Sequence, residues 1–375
     1  MLRPHPARRA LPALVLASAL VLAGCAGSDS DGGAASDTSA ASSPSTTAAP
    51  TTTTTDPASA PAGEVATAAP VPSEGCGTST VESVSLEKTT LPESDRWYLL
   101  TTPPEHDGKT PLPLVIDYHG LAEGAEIHAT FSQFGAYAAE HGFVVAQPNG
   151  TGEPVGWNVG IDPASNPDLV FTEDLLDQLE ADLCIDTSRV YATGLSNGAW
   201  MSSAVACAMA DRFTAVAPVA GIMRPDACDP SRPVPVLSFH GTADPILLFN
   251  GGVGDRLANS LGSAPGSGTT EPEAALPPAD VDGPGYPANA QAWAKGNGCT
   301  GDPVDSEVTP TISERTWDCP ADAPVEFLVV DGGGHSWPGS EFGKAAESIV
   351  GPTDMSLDAT ATIWQFFQRF ALPTT

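Results

Sequence analysis

Basic residues are scarce in this chain. Fifteen lysines and arginines stand against 46 aspartates and glutamates, a formal net charge of −31 at pH 7 over 375 residues. That excess of negative charge argues against a nucleic acid partner or electrostatic adhesion to an anionic membrane. The acids are scattered rather than blocked, so they read as a solubility device. No C-x-x-C pair and no H-E-x-x-H spacing occurs, and the common zinc and redox signatures are therefore missing. No metal and no cofactor is expected. Long apolar runs are lacking too: Leu11–Leu22 falls short of the about 20 residues that a membrane-spanning helix needs.

What the beginning of the chain does contain is a leader pattern. Arg3, Arg8 and Arg9 form a basic stretch before Leu11–Leu22. The run Leu22-Ala23-Gly24-Cys25 then resembles a bacterial lipobox. The resemblance implies a signal peptide over 1–24, cleavage before Cys25, a lipid on that cysteine, and an anchored position in the cell envelope. Residues 25–73 are mostly Ala, Ser, Thr, Pro and Gly, with Thr51–Thr55 a homopolymer. Such a segment has too little apolar area to offset the entropy of ordering, so a disordered tether is expected. Residues 74–375 suit a single α/β domain, expected to be monomeric. With Cys25 lipidated, Cys76, Cys184, Cys207, Cys228, Cys299 and Cys319 form an even set, which suggests three disulfides. Locality suggests Cys299–Cys319 and Cys207–Cys228, leaving Cys76–Cys184.

Within the domain, Thr80–Leu86 and Arg96–Thr102 alternate apolar and polar residues like an antiparallel opening hairpin. Apolar strands then alternate with helical stretches. Strands are expected over Leu112–Tyr118, Gly142–Ala146, Val190–Thr193, Val234–Phe239 and Val325–Val330. Helices are expected over Ala129–His141, Thr172–Leu183, Ala199–Met209, Ala288–Lys295 and Asp358–Phe370. This alternation builds a mostly parallel central sheet with helices on both faces. Residues 251–285 interrupt the rhythm as a long Gly/Pro/Ala-rich insertion.

The pentapeptide Gly194-Leu195-Ser196-Asn197-Gly198 lies between an expected strand and an expected helix, the context of a nucleophile elbow. His240-Gly241-Thr242-Ala243-Asp244 follows a later strand, and Gly332-Gly333-Gly334-His335 follows the last one. Serine, acid and histidine in that order, each after a strand, is the arrangement of the α/β-hydrolase fold. Ser196 is then the candidate nucleophile, His335 the base, and Asp244 the group that orients and stabilises the imidazole; Asp255 and Asp331 are the alternative acids. The glycines before His335 are expected to form a flexible loop. The backbone N–H groups of Asn197 and of Leu121, just after His119-Gly120, are the candidate oxyanion donors. Trp157 and Trp337 are candidate pocket walls for the substrate, with core packing as the competing reading.

The runs Asp186–Ala199, His240–Asp244 and Gly333–Gly339, together with Gly156-Trp157-Asn158, resemble a family of secreted esterases. These are the polyhydroxybutyrate depolymerase-like proteins and feruloyl esterases, and the similarity runs from about Cys76 to Phe370. The resemblance implies a Ser–His–Asp esterase of the α/β-hydrolase fold acting on feruloyl, acetyl or small aryl esters, with no cofactor. A polyhydroxyalkanoate depolymerase is the alternative, and a non-enzymatic surface lipoprotein a second one. Pro245–Phe249 and the long insertion depart from the family pattern near the expected pocket.

Overall fold

The computed structural model describes residues 66–78, 82–255, 257 and 276–373. The leader, Cys25, most of the tether and the middle of the insertion lie outside the described residues. Among the described residues ten strands form one sheet: β1 (Glu87–Thr90), β2 (Trp97–Thr101), β3 (Leu112–Tyr118), β4 (Val144–Pro148), β5 (Ile185–Leu195), β6 (Ala215–Val219), β7 (Val236–Gly241), β8 (Thr300–Thr309), β9 (Ile312–Asp318) and β10 (Val325–Val330). Their spatial order is β1-β2-β4-β3-β5-β6-β7-β10-β9-β8. The six strands from β4 to β10 in that order pair in parallel, and each edge is completed by antiparallel pairs. The helices are α1 (Gly124–Ser132), α2 (Phe134–His141), α3 (Pro167–Asp182), α4 (Asn197–Ala208), α5 (Tyr286–Gly296), α6 (Glu341–Ala345), α7 (Glu347–Val350) and α8 (Ala359–Phe367).

Side chains alternate across a strand, so each parallel strand must feed two cores. Leu114, Ile116 and Tyr118 of β3 pack with Leu175, Leu176 and Leu179 of α3, Met201 and Val205 of α4 and Trp293 of α5. Val115 joins the opposite layer, with Phe134 of α2 and Ile363, Trp364 and Phe367 of α8. Helices therefore cover both faces, as the strand–helix alternation requires.

The boundaries shift where local chemistry is stronger than periodicity. The helix expected over Ala129–His141 is two helices, because Gln133 takes a left-handed conformation at φ 57° and α1 begins at Gly124. Helix α3 starts before Thr172: Asn166 caps it by accepting from Asp168 N–H and Leu169 N–H, with Pro167 in the first turn. The opening hairpin pairs Glu87–Thr90 with Trp97–Thr101, later in the chain than Thr80–Leu86. Residues 66–73, which the sequence places in the expected tether, carry backbone hydrogen bonds to the domain. Ala66 N–H donates to Gln368 O, Thr187 N–H to Val71 O and Ser73 N–H to Ile185 O, so the folded part is already present at Ala66.

Disulfides join Cys76–Cys184, Cys207–Cys228 and Cys299–Cys319, the pairs that locality suggests. At the base of the insertion the two ends meet. Asn250 accepts from Asp280 N–H at 2.7 Å and donates to Asp280 O at 2.6 Å and Pro284 O at 3.2 Å. Gly251 and Gly285, at φ 93° and 80°, pack so closely that a Cβ on Gly285 would lie 2.2 Å from Gly251 N.

Candidate active site

Strands β3, β5, β7 and β10 run parallel, so the loops that follow them leave the sheet along one edge. His119–Glu123, Ser196, Asp244 and His335 all lie on those loops. The chain passes from β3 to β4 on one side of β3, then from β4 to β5 on the other. Loops at such a reversal diverge and open a crevice outside the strand ends. The loop after β3 and Ser196 after β5 lie at that reversal.

Ser196 has φ 58° and ψ −115°, a backbone conformation that a non-glycine residue rarely adopts. Its N–H donates to Val219 O at 3.0 Å, which holds the turn against β6. The flanking glycines are needed for room. A Cβ on Gly194 would lie 2.5 Å from Tyr118 O, and one on Gly198 only 2.0 Å from the same oxygen. Strand β3 is simply too near for a side chain. The elbow presents the backbone N–H of Asn197 at the start of α4, where the helix dipole favours negative charge. Neither this N–H nor that of Leu121 has an acceptor among the described residues.

His335 Nδ1 lies 2.8 Å from Asp244 Oδ2. Asp244 is buried, and its Oδ1 accepts from Ile246 N–H and Leu247 N–H, both at 2.8 Å. His240 Nε2 stands 3.3 Å from the same Oδ2 and 2.9 Å from Leu247 O. Burial alone would raise the Asp244 pKa. The two imidazoles and their hydrogen bonds outweigh it and hold the carboxyl well below the usual range. His335 Nε2 and Ser196 Oγ have no hydrogen-bond partner among the described residues. The structure thus brings acid and histidine together and leaves the serine–histidine bond unmade. The glycines before His335 also differ from expectation. A Cβ on Gly334 would lie 2.4 Å from Val350 O, and Gly334 N–H and His335 N–H donate to Pro352 O and Val350 O, both at 2.6 Å. Close packing, more than flexibility, requires glycine at 334.

Both tryptophans depart from the pocket-wall expectation. Trp337 is 1% exposed, with its Nε1–H on Thr360 Oγ1 and its ring edge-on to Phe134 and His128. Trp157 is buried and acts as a clamp. Its backbone N–H donates to Asn197 Oδ1 at 2.7 Å and its Nε1–H to His119 O at 2.9 Å. Their polar atoms and ring faces are already spent on the protein. Leu121, by contrast, is 40% exposed. Asp331 is exposed and accepts from Thr242, and Asp255 is also exposed; the acid beside His335 is Asp244.

Sequence reasoning passed over a polar cluster beneath the loop after β3. His119 accepts from Gly150 N–H at Nε2 and faces Gly120 O at 2.7 Å through Nδ1, so both nitrogens are occupied. Burial pushes its pKa down to about 4. His128 is wholly buried between Asp117, 2.7 Å from its Nε2, and Glu123, 3.3 Å from its Nδ1. Burial would lower its pKa, but the two carboxylates overcome that and push it up to about 10. The available signal was the helix face Ala125, His128, Ala129 and Ser132, which becomes visible only once α1 is started at Gly124.

A sequence profile of the prolyl oligopeptidase family matches residues 129–232. Feruloyl esterase B of Piromyces equi is 29% identical over 286 residues, which are 74% of this chain and 46% of that enzyme's length. A probable feruloyl esterase C of Aspergillus terreus is 30% identical over 206 residues, 53% of this chain and 71% of that one. Among solved structures, an acetyl xylan esterase from Aspergillus awamori aligns with TM-score 0.48 and 14% identity, covering 71% of this chain and 98% of that one. Sheet, elbow and loop order define the class, an α/β-hydrolase. Within that class the chain belongs to the feruloyl esterase family.

Proposed function

We propose that this protein hydrolyses carboxylic esters through an acyl-enzyme on Ser196. The observation that carries the reading is the Asp244–His335 hydrogen bond, on the same sheet edge as a strained serine flanked by two unpaired backbone N–H groups. Ser196 Oγ bonds to the ester carbonyl carbon while His335 Nε2 takes its proton. The N–H groups of Leu121 and Asn197 meet the oxyanion, and Asp244 stabilises the imidazolium. Collapse expels the alcohol, which leaves with the proton from His335. Water, deprotonated by the same imidazole, then attacks the acyl carbon, releasing the acid and restoring the serine.

The names of the relatives favour feruloyl esters as the substrate class. Three disulfides suit an oxidising compartment and agree with export, the lipid on Cys25 holding the chain to a membrane. The test is a panel of methyl ferulate, a simple alkyl acetate and 3-hydroxybutyrate oligomers, with a fluorophosphonate to map the nucleophile. The highest kcat/KM on methyl ferulate and labelling at Ser196 are expected. Preference for the hydroxybutyrate oligomers, with clearing of a polymer suspension, would reassign the protein as a depolymerase. Labelling elsewhere, or no hydrolysis at all, would remove the mechanism.

A further inference from the structure

The turn that carries Leu121 is closed twice by one residue. Glu123 N–H donates to Gly120 O at 3.2 Å, and the Glu123 carboxylate reaches back to accept Gly120 N–H at 2.5 Å through Oε2. Between them Ala122 stands at φ 64°, a left-handed conformation that costs a non-glycine residue energy and needs something to hold it. Ala122 N–H donates to Val155 O at 2.7 Å. Leu121 N–H is the one left without an acceptor among the described residues. The same turn is pressed against the nucleophile. A Cβ on Gly120 would lie 3.0 Å from Glu123 Oε2 and 3.5 Å from Ser196 Cβ.

The Glu123 carboxylate is itself anchored. His128 Nδ1 faces it at 3.3 Å, and His128 Nε2 meets Asp117 Oδ1 at 2.7 Å. Asp117 Oδ2 accepts from Ser132 Oγ at 2.6 Å and from Gln147 Nε2 at 2.8 Å. The chain of contacts thus runs from the buried end of β3, through α1, back to the turn after β3. A carboxylate this near an oxyanion site would oppose the charge that develops there if it stood alone. The imidazolium of His128 lies between the two carboxylates and offsets that repulsion.

We propose that Glu123 is the positioning residue of the oxyanion hole: held by His128 and Asp117, it fixes the turn that aims Leu121 N–H. The inference rests on the esterase reading of Ser196 and deepens it. Glu123 touches neither substrate nor the reacting atoms; it acts through the backbone of Gly120 and Leu121.

Two conservative variants separate reach from charge. Glu123→Asp keeps the charge beside His128 but withdraws the oxygen from Gly120 N–H. Glu123→Gln loses the charge but keeps an oxygen at that distance. Both are assayed on p-nitrophenyl acetate alongside the wild type, together with inhibition by a trifluoromethyl ketone that mimics the tetrahedral oxyanion. Glu123→Asp should lose about tenfold to a hundredfold in kcat with KM nearly unchanged, and its ketone affinity should fall in parallel, because one donor is displaced. Glu123→Gln should stay within about fivefold of the wild type in both readouts. Equal damage in the two variants, greater damage in Glu123→Gln, a wild-type kcat in Glu123→Asp, or a loss expressed only in KM would each overturn the proposal. A wild-type protein that hydrolyses no ester would sink the esterase reading and this inference with it; an active wild type with an unimpaired Glu123→Asp would sink the inference alone.

Discussion

His335 and His128 each hold one ring nitrogen against a buried aspartate, at 2.8 Å from Asp244 and 2.7 Å from Asp117. A search for histidine–carboxylate pairs would not tell them apart. Their second nitrogens do. Nε2 of His335 has no partner among the described residues, whereas Nδ1 of His128 is taken by Glu123. An imidazole that can both release and accept a proton suits a base, while one locked between two carboxylates keeps its proton and serves as a fixed cation. A histidine–aspartate contact is therefore no signature of catalysis, and the free nitrogen carries the distinction.

The contrast can be broken most severely at His335. His335→Ala should reduce kcat by about ten-thousandfold or more. A residual rate near wild type, measured at saturating ester, would move the base elsewhere. Asp117→Asn attacks the other pair and should act on stability first. Breaking a buried charged pair costs about 3–5 kcal/mol, read as a lower urea midpoint. Trp337→Ala should cost a similar amount, about 3–5 kcal/mol, because a buried indole is removed. Its ratio of kcat/KM on methyl ferulate to that on an alkyl acetate should stay within about twofold of wild type. A selective loss on the ferulate would restore Trp337 to the pocket wall.

The pH dependence sharpens the same contrast. The folded-state pKa of His128 is raised to about 10, above an unfolded value of about 6.5. Its contribution is therefore complete below about pH 6.5 and is lost as pH rises towards 10. Urea unfolding across that interval should show stability declining in the wild type and a flatter profile in Asp117→Asn. Identical slopes would mean that His128 is not the titrating group. The smallest effect belongs to Asp331→Asn, within about 0.5 kcal/mol of wild type because the residue is exposed. A large loss of activity there would overturn the choice of Asp244 as the acid.

The sequence made the parallel core legible because each buried strand is a compact apolar run with a helix after it. Leu112–Tyr118 and Val325–Val330 fall where expected. Three strands were passed over: β6, β8 and β9. β6, Ala215-Val216-Ala217-Pro218-Val219, is built of small residues and carries a proline that argues against a central strand. β8 is exposed along most of its length, so it shows no apolar face to read. Candidates for serine, acid and histidine could be picked out because their loops follow readable strands. The Asn197–Trp157 clamp and the Glu123–His128–Asp117 cluster could not. Their partners are joined by the sheet's crossover and by a helix start that no periodicity marks, and an isolated buried histidine looks the same in sequence whatever it meets.

The meeting of Gly251 and Gly285 at the foot of the insertion makes the two ends neighbours before any of the intervening chain is considered. Lengthening what lies between them costs little, since each doubling of a loop adds only about 0.6 kcal/mol of closure entropy. The foot works as a coupling: sequence can be changed or grafted there while the loop bearing Asp244, a few residues upstream, keeps its shape. An affinity tag or a binding peptide could be carried at this point as cargo, on a domain whose chemistry is held by other contacts.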